Sequence, residues 1–412
     1  MNKLVNIRFS SWIFKLTCLY AFFIPLEKIL EVLFDIDTVF KPYRVIGLLI
    51  VTVFVIRSCF KWQNNSELKR DIFLYSIFIY GLIVTLVRMM TQEFTLKYFI
   101  SDSFQFGLYL CVFIVLRHSG LSRNNYVTIC KFLATGILVN ALYVFYSFVF
   151  LKSYMRHAGF MDNPNYMALS LVFIGLMFLV RRPQLKGWVE KMLGWCLFAF
   201  IAYVFIISGS RTGLALMLIC GAVAVYYSSI REKLIILSMI TMAGLLITFK
   251  ASEHIQQTGP LILIKRLNKK TTDDPRLPVW GGAIRAAASV NFTGLGIGQF
   301  KARFHEFFYD ENNPLIIRMI NRGYFLSPHS DYFFLLAVHG IVGLVLYLIF
   351  LVTTGLRVFQ SLKSTQIPIT RMYYQFSLAT FLALVLFGLT SENFNSALYW
   401  TILSVSTKID FG

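Results

Sequence analysis

Charge is scarce in this chain. Only 14% of its 412 residues are Asp, Glu, Lys or Arg, where a soluble domain carries about a quarter. Hydrophobic residues make up 57%, with 41 Phe, so a water-soluble globular fold is excluded. Cysteine is also scarce: Cys18, Cys59, Cys111, Cys130, Cys196 and Cys220 are all there is. They fall in apolar runs or in loops assigned below to the cytoplasmic side, which supports neither a disulfide framework nor a zinc pattern. The first apolar run continues into Pro25, Glu27 and Lys28 without a small-residue cleavage site, so a cleaved signal peptide is not expected. Internal repeats, low-complexity tracts and soluble domains are likewise missing.

What is present is a series of apolar runs long enough to cross a bilayer, whose core of about 30 Å needs about 20 helical residues. Twelve spans can be drawn, near 12–26, 45–60, 72–87, 103–116, 126–149, 166–180, 193–208, 213–229, 234–249, 332–352, 373–389 and 396–406. The expected fold is an all-α integral membrane protein. It divides into spans one to nine (1–249), a large loop (250–330) and spans ten to twelve (331–412). A formal charge of +19 would suggest nucleic acid in a soluble protein; here it is first a topology signal, because Lys and Arg accumulate in cytoplasmic loops. With both termini inside, cytoplasmic segments hold 18 Lys and Arg and the short outside loops hold eight. That bias sets the expected orientation.

The loop from Lys250 to Ser330 holds 11 basic against six acidic residues, and long loops escape the orientation rule. Helical pieces are expected in it, notably from Pro278 to Val290, where Val279, Trp280, Ile284 and Ala288 recur at helical spacing. Four polar clusters fall in this loop or at outside ends of spans: R-H-A-G-F-M-D-N-P-N (Arg156 to Asn165), S-G-S-R-T-G (Ser208 to Gly213), D-P-R-L-P-V-W-G-G-A-I-R (Asp274 to Arg285) and P-H-S-D-Y-F (Pro328 to Phe333). Facing one side of the membrane together, they would make a cationic site at the lipid boundary.

Arg211 stands between two apolar spans among small residues. Snorkelling is the bland account of it, and a fork for a phosphate reaching up from the bilayer is the functional one. Arg276 and Arg285 are nine residues apart, half a helical turn out of phase, so one of them is expected to be structural; Arg276 is favoured for function. Arg156 and Arg285 complete the set of candidate substrate cations. His329 precedes a helix that Ser330 is placed to cap. The positive end of the helix dipole favours a neutral imidazole there, and the candidate role is general base for a hydroxyl. His339, inside the following span, reads as a hydrogen-bonded helix-contact residue, and G-L-G-I-G (Gly294 to Gly298) as a turn, not a dinucleotide site. Asp35 and Asp37 form a D-x-D pair able to hold a metal, but metal binding is not the favoured reading.

The four clusters, in this order, resemble the O-antigen ligase and polymerase superfamily, most strongly from Arg156 to Gly343. Ser210-Arg211-Thr212 is similar to the family's S-R-T/A element, and Arg276 to its loop arginine. His329 to Tyr332 with Gly340 and Gly343 is similar to H-N-x-(Y/L)…G-x-x-G, with Ser330 in place of the usual Asn. The resemblance implies a GT-C-like membrane glycosyltransferase with a large periplasmic loop. It implies metal-independent, inverting transfer of a glycan from undecaprenyl diphosphate, without a cofactor. His329 is then the catalytic base, and Arg211, Arg276, Arg156 and Arg285 bind diphosphate or substrate. The acceptor is a lipid-linked repeat unit for a polymerase, the reading favoured here from the D-N-P-N segment, or lipid A–core for a ligase. The implied setting is the bacterial inner membrane, with membrane lipids around the chain and a chain-length regulator as a further candidate partner. A flippase or other transporter also predicts about twelve spans, but it normally shows repeat symmetry and charges buried within spans.

Overall fold

The computed structural model describes residues 2–34, 41–60, 71–91, 94–151, 158–161, 163–181, 185–226, 276–308 and 327–408. Among these residues the chain is helical throughout, with no strand. The helices are α1 (Asn2–Phe23), α2 (Ile29–Phe34), α3 (Pro42–Phe60), α4 (Ile72–Thr91), α5 (Leu96–His118), α6 (Arg123–Val149), α7 (Pro164–Arg181), α8 (Trp188–Ser208) and α9 (Arg211–Val225). After the loop region come α10 (Arg276–Ala288), α11 (Gln299–Ala302), α12 (Phe304–Phe308), α13 (Asp331–Ser364), α14 (Pro368–Gly388) and α15 (Ala397–Thr407). Seven of them, α4 to α8, α13 and α14, are long and apolar enough to cross a membrane; α1, α3 and α9 carry shorter apolar stretches. The protein is an all-α integral membrane protein. The expected span 234–249 lies outside the described residues.

The bundle is held by large apolar side chains that interlock at its centre. Trp400 of α15 is buried against the rings of Phe106, Phe113 and Phe394, while α4 turns Ile79, Ile83 and Leu86 outward. In a bilayer such outward residues meet lipid tails, so contact between helices rests on packing and polar links, not on escape from water. Two groups of connections sit at opposite ends. At one end Arg117 pairs with Asp71 (3.1 Å) and donates to Thr407 (2.7 Å), Lys408 donates to the Arg117 carbonyl (2.8 Å), and Arg123 donates to Thr370 (3.0 Å). These are segments the charge bias assigns to one side. The other end gathers the 3₁₀ turn Ile24–Leu26, the start of α7, the α8–α9 turn, α10 and the start of α13.

Helix α13 is broken. Gly340 has φ 65 and ψ −169, a conformation open essentially to glycine alone, and it interrupts the ladder about nine residues from the helix start. The orphaned groups are taken up by the loop: Leu295 and Gly296 donate to the Ala337 and Val338 carbonyls (both 2.9 Å), and Ile341 donates to the Phe292 carbonyl (2.9 Å). The G-L-G-I-G segment is a turn, as its composition suggests, and it lodges in the break. Arg88 of α4 fastens it further, donating to the Gly294 carbonyl (3.1 Å) and the Thr293 hydroxyl (2.6 Å).

The helix expected from Pro278 to Val290 appears as α10. Val279, Ala283, Ala286 and Ala287 are buried, whereas Ile284 is 43% exposed. Small residues face the protein because α10 comes close to α12, where a Cβ on Gly282 would collide with the Phe308 ring. Trp280 instead stacks on Phe333 of α13, ring centroids 5.1 Å apart, which seats α10 over the start of that helix.

Candidate active site

The S-G-S-R-T-G segment is a two-residue joint between helices. Gly209 closes α8 in the left-handed conformation (φ 60, ψ 26), as a helix C-terminus favours. Ser210 opens α9, its hydroxyl accepting from the Gly213 amide (3.2 Å), the usual N-cap arrangement. Arg211 is therefore the first residue of α9 and half-buried. A cation at that end opposes the helix dipole. The guanidinium and the free amides of the first turn together suit an anion.

Ser210 also donates to Asn165 Oδ1 (3.1 Å), joining this corner to D-N-P-N. There Pro164 begins α7, with its fixed φ suited to the first helical position, and Asn163 Oδ1 accepts from the Asn165 amide (2.8 Å). The next residue, Tyr166, donates its hydroxyl to the Glu392 carbonyl. Glu392 lies in the short connection between α14 and α15. Its carboxyl accepts from the Ser327 hydroxyl and from Asn395 Nδ2 (3.4 Å). Burial pushes this carboxyl up from 4.5 to about 7, against the lowering effect of the Ser327 bond, so a proton is shared near neutrality.

Ser327 in turn accepts from the His329 amide (3.3 Å). His329 is half-buried with φ 51, a left-handed conformation uncommon outside glycine, which His tolerates better than most residues. Ser330 occupies the N-cap position of α13, but its buried hydroxyl makes no hydrogen bond among the described residues. The expected side-chain cap is not made. The helix start is held instead by Asp331, whose side-chain oxygens accept from the Asn393 amide (2.6 Å) and from Asn393 Nδ2 (2.8 Å).

Of the residues expected at the site, Arg211 and His329 stand at the same end of the bundle. Asn165, its chain neighbour Tyr166, Glu392 and Ser327 link Ser210, which precedes Arg211, to the backbone amide of His329. Arg276 begins α10, and Arg285 lies on the same helix, donating Nε (3.0 Å) and a terminal nitrogen (2.6 Å) to the Phe307 carbonyl. That pair of hydrogen bonds ties α10 to α12. Arg156, Asp35 and Asp37 lie outside the described residues, as does the side chain of Arg276. His339 is 2% exposed and packs edge-on to Phe106, a helix contact as expected. Its ring nitrogens, however, find no hydrogen-bond partner among the described residues. Glu392 and Asn393 were missed from the sequence, although the polar run S-E-N-F-N between two apolar spans was a visible signal.

Residues 196–348 match the family model described as O-antigen ligase. The match supports the O-antigen ligase/polymerase superfamily, and with it a glycosyltransferase-like activity in O-antigen assembly on lipid-linked polysaccharide substrates. No curated protein matches the chain. The matched segment begins in α8 and ends in α13, so it contains Arg211, Arg276, Arg285 and His329. Asn165, Tyr166 and Glu392 lie beyond its limits and are brought to it by the fold.

Proposed function

We propose that the protein is a metal-independent, inverting glycosyltransferase. It moves an undecaprenyl-diphosphate-linked glycan onto an acceptor hydroxyl at the periplasmic face of the inner membrane, as a surface-polysaccharide polymerase. The observation that carries this reading is the contact chain from Ser210 to His329, which puts a cation at a helix N-terminus and a histidine on one end of the bundle. The acceptor oxygen attacks the anomeric carbon from the face opposite the diphosphate. A new C–O bond forms as the bond to the diphosphate breaks, and the centre inverts. The hydroxyl proton passes to the imidazole of His329. The charge left on the diphosphate meets Arg211 and the first-turn amides of α9, with Arg276 and Arg156 as further cations. Arg285, engaged with Phe307, holds the helix that carries Arg276. Glu392 positions Ser327 and, through it, the backbone at His329.

The description of the matched family favours a second reading, a ligase whose acceptor is lipid A–core. Deletion of the gene followed by glycolipid analysis tests both. Surface lipid carrying a single repeat identifies a polymerase, and bare core with accumulated lipid-linked polymer identifies a ligase. Unaltered surface glycolipid overturns both.

A further inference from the structure

A partly open polar cavity of about 60 Å³ lies beside the candidate active site, where the 3₁₀ turn after α1 meets the first turns of α3, α7 and α15. Glu27, Tyr43, Met161, Tyr166, Asn395 and Ser396 are in its wall. Two of them touch the residue that links the site together: Tyr166 donates to the Glu392 carbonyl, and Asn395 donates to its carboxyl. The cavity therefore stands one side chain from Glu392, whose other partner is Ser327, two residues before His329.

The chemistry of the wall selects among ligands. Glu27 is paired with Lys41 at 3.1 Å, both side chains 17% exposed. A carboxylate in the wall repels a phosphate but accepts hydroxyl hydrogens. Asn395 offers an amide that can both donate and accept. Tyr43 and Tyr166 supply aromatic surface with their hydroxyls already engaged, by Tyr109 (3.2 Å) and by Glu392. One water needs about 10–15 Å³ of such space and benzene enters a cavity of about 150 Å³, so the cavity has room for about four waters, is too small for a whole pyranose and suits a substituent projecting from one. We infer that this cavity is a sugar-specificity subsite, receiving an exocyclic hydroxymethyl or N-acetyl group of the hexose beside the one that reacts. The inference rests on the reading of the site as a glycan transferase and adds a selective contact to it. That sugar belongs either to the donor glycan or to the acceptor, and the recognition chemistry is the same for both.

The test uses the full-length protein in nanodiscs with methyl glycosides of glucose, galactose, rhamnose, N-acetylglucosamine and N-acetylgalactosamine, followed by ligand-observed NMR. At least one glycoside is expected to bind, with saturation strongest at its exocyclic group. Asn395→Ala and Glu27→Gln should weaken that binding tenfold or more. Ala397→Leu fills the cavity without removing a polar group, and it should block binding while the unfolding midpoint holds. Transfer between native lipid-linked glycans is measured in parallel, and Ala397→Leu should raise KM for the acceptor alone or for the donor alone, identifying which sugar enters. Glycoside binding indifferent to Ala397→Leu, or no binding by any of the five, overturns the subsite even if transfer proceeds. Cavity-dependent binding in a protein that transfers no glycan overturns the transferase reading and leaves the binding site standing.

Discussion

Replacing Glu392 with glutamine tests the link between the α14–α15 connection and His329. In the fold this carboxyl holds its proton up to about pH 7, against an ordinary 4.5, because burial outweighs the Ser327 hydrogen bond. Between those values the folded protein keeps a proton that the unfolded chain has lost. Stability is therefore full below about 4.5, declines as pH rises through the window, and is lowest above 7. The gap corresponds to at most roughly 3 kcal/mol, less the share screened by the water that still reaches this half-buried residue. For a chain of this length that is a fall in Tm of roughly 3 °C or less. Glutamine cannot ionise but keeps an oxygen for Ser327. Scanning fluorimetry in detergent from pH 5 to 8 should thus show a falling midpoint for the parent and a flatter one for Glu392→Gln. Equal slopes in the two proteins would refute the assignment of a buried, proton-holding carboxyl.

Gly340→Ala should destabilise by about 1–3 kcal/mol from backbone conformation alone, with more from collision against the Phe292 carbonyl; denaturation of the purified protein reads it. Arg211→Lys keeps the charge and loses the bidentate fork, so transfer should fall about 10²- to 10³-fold, and a near-parental rate would remove Arg211 from the diphosphate. His329→Ala should lower transfer by roughly 10² or more with donor affinity nearly intact, measured by separate binding and single-turnover assays. A reporter fused near Lys270 should be active only outside the cytoplasm, which checks the orientation taken from the Lys and Arg bias.

The helices were legible because a bilayer demands long apolar runs, and each expected span within the described residues coincides with a helix. Arg211 and His329 stood out as candidates for a related reason: a polar side chain at the end of an apolar run has few structural excuses. The break in α13 was not, since a glycine in an apolar run is common and only its partner, the segment near Gly294, shows why it is there. The helix α10 was legible, but its buried face was not: Ile284 is exposed, and close approach to α12 turns Gly282 and the alanines inward. Glu392 escaped because its meaning lies in Ser327, 65 residues earlier in the chain. Spacing along one element finds helix faces; it does not find contacts that only tertiary folding makes.

The broken helix also bears on how the protein is assembled. Unpaired backbone groups at membrane depth cost several kcal/mol each, so α13 has no comfortable resting place until residues 292 to 296 supply their amides and carbonyl. Those residues leave the ribosome before Asp331 does, and α4, which grips them through Arg88, leaves earlier still. The order of synthesis thus delivers the plug before the gap it fills: by the time Gly340 arrives, the turn that completes it has already been synthesised. A circular permutant that places α13 ahead of the loop would reverse this order and leave the break exposed during insertion.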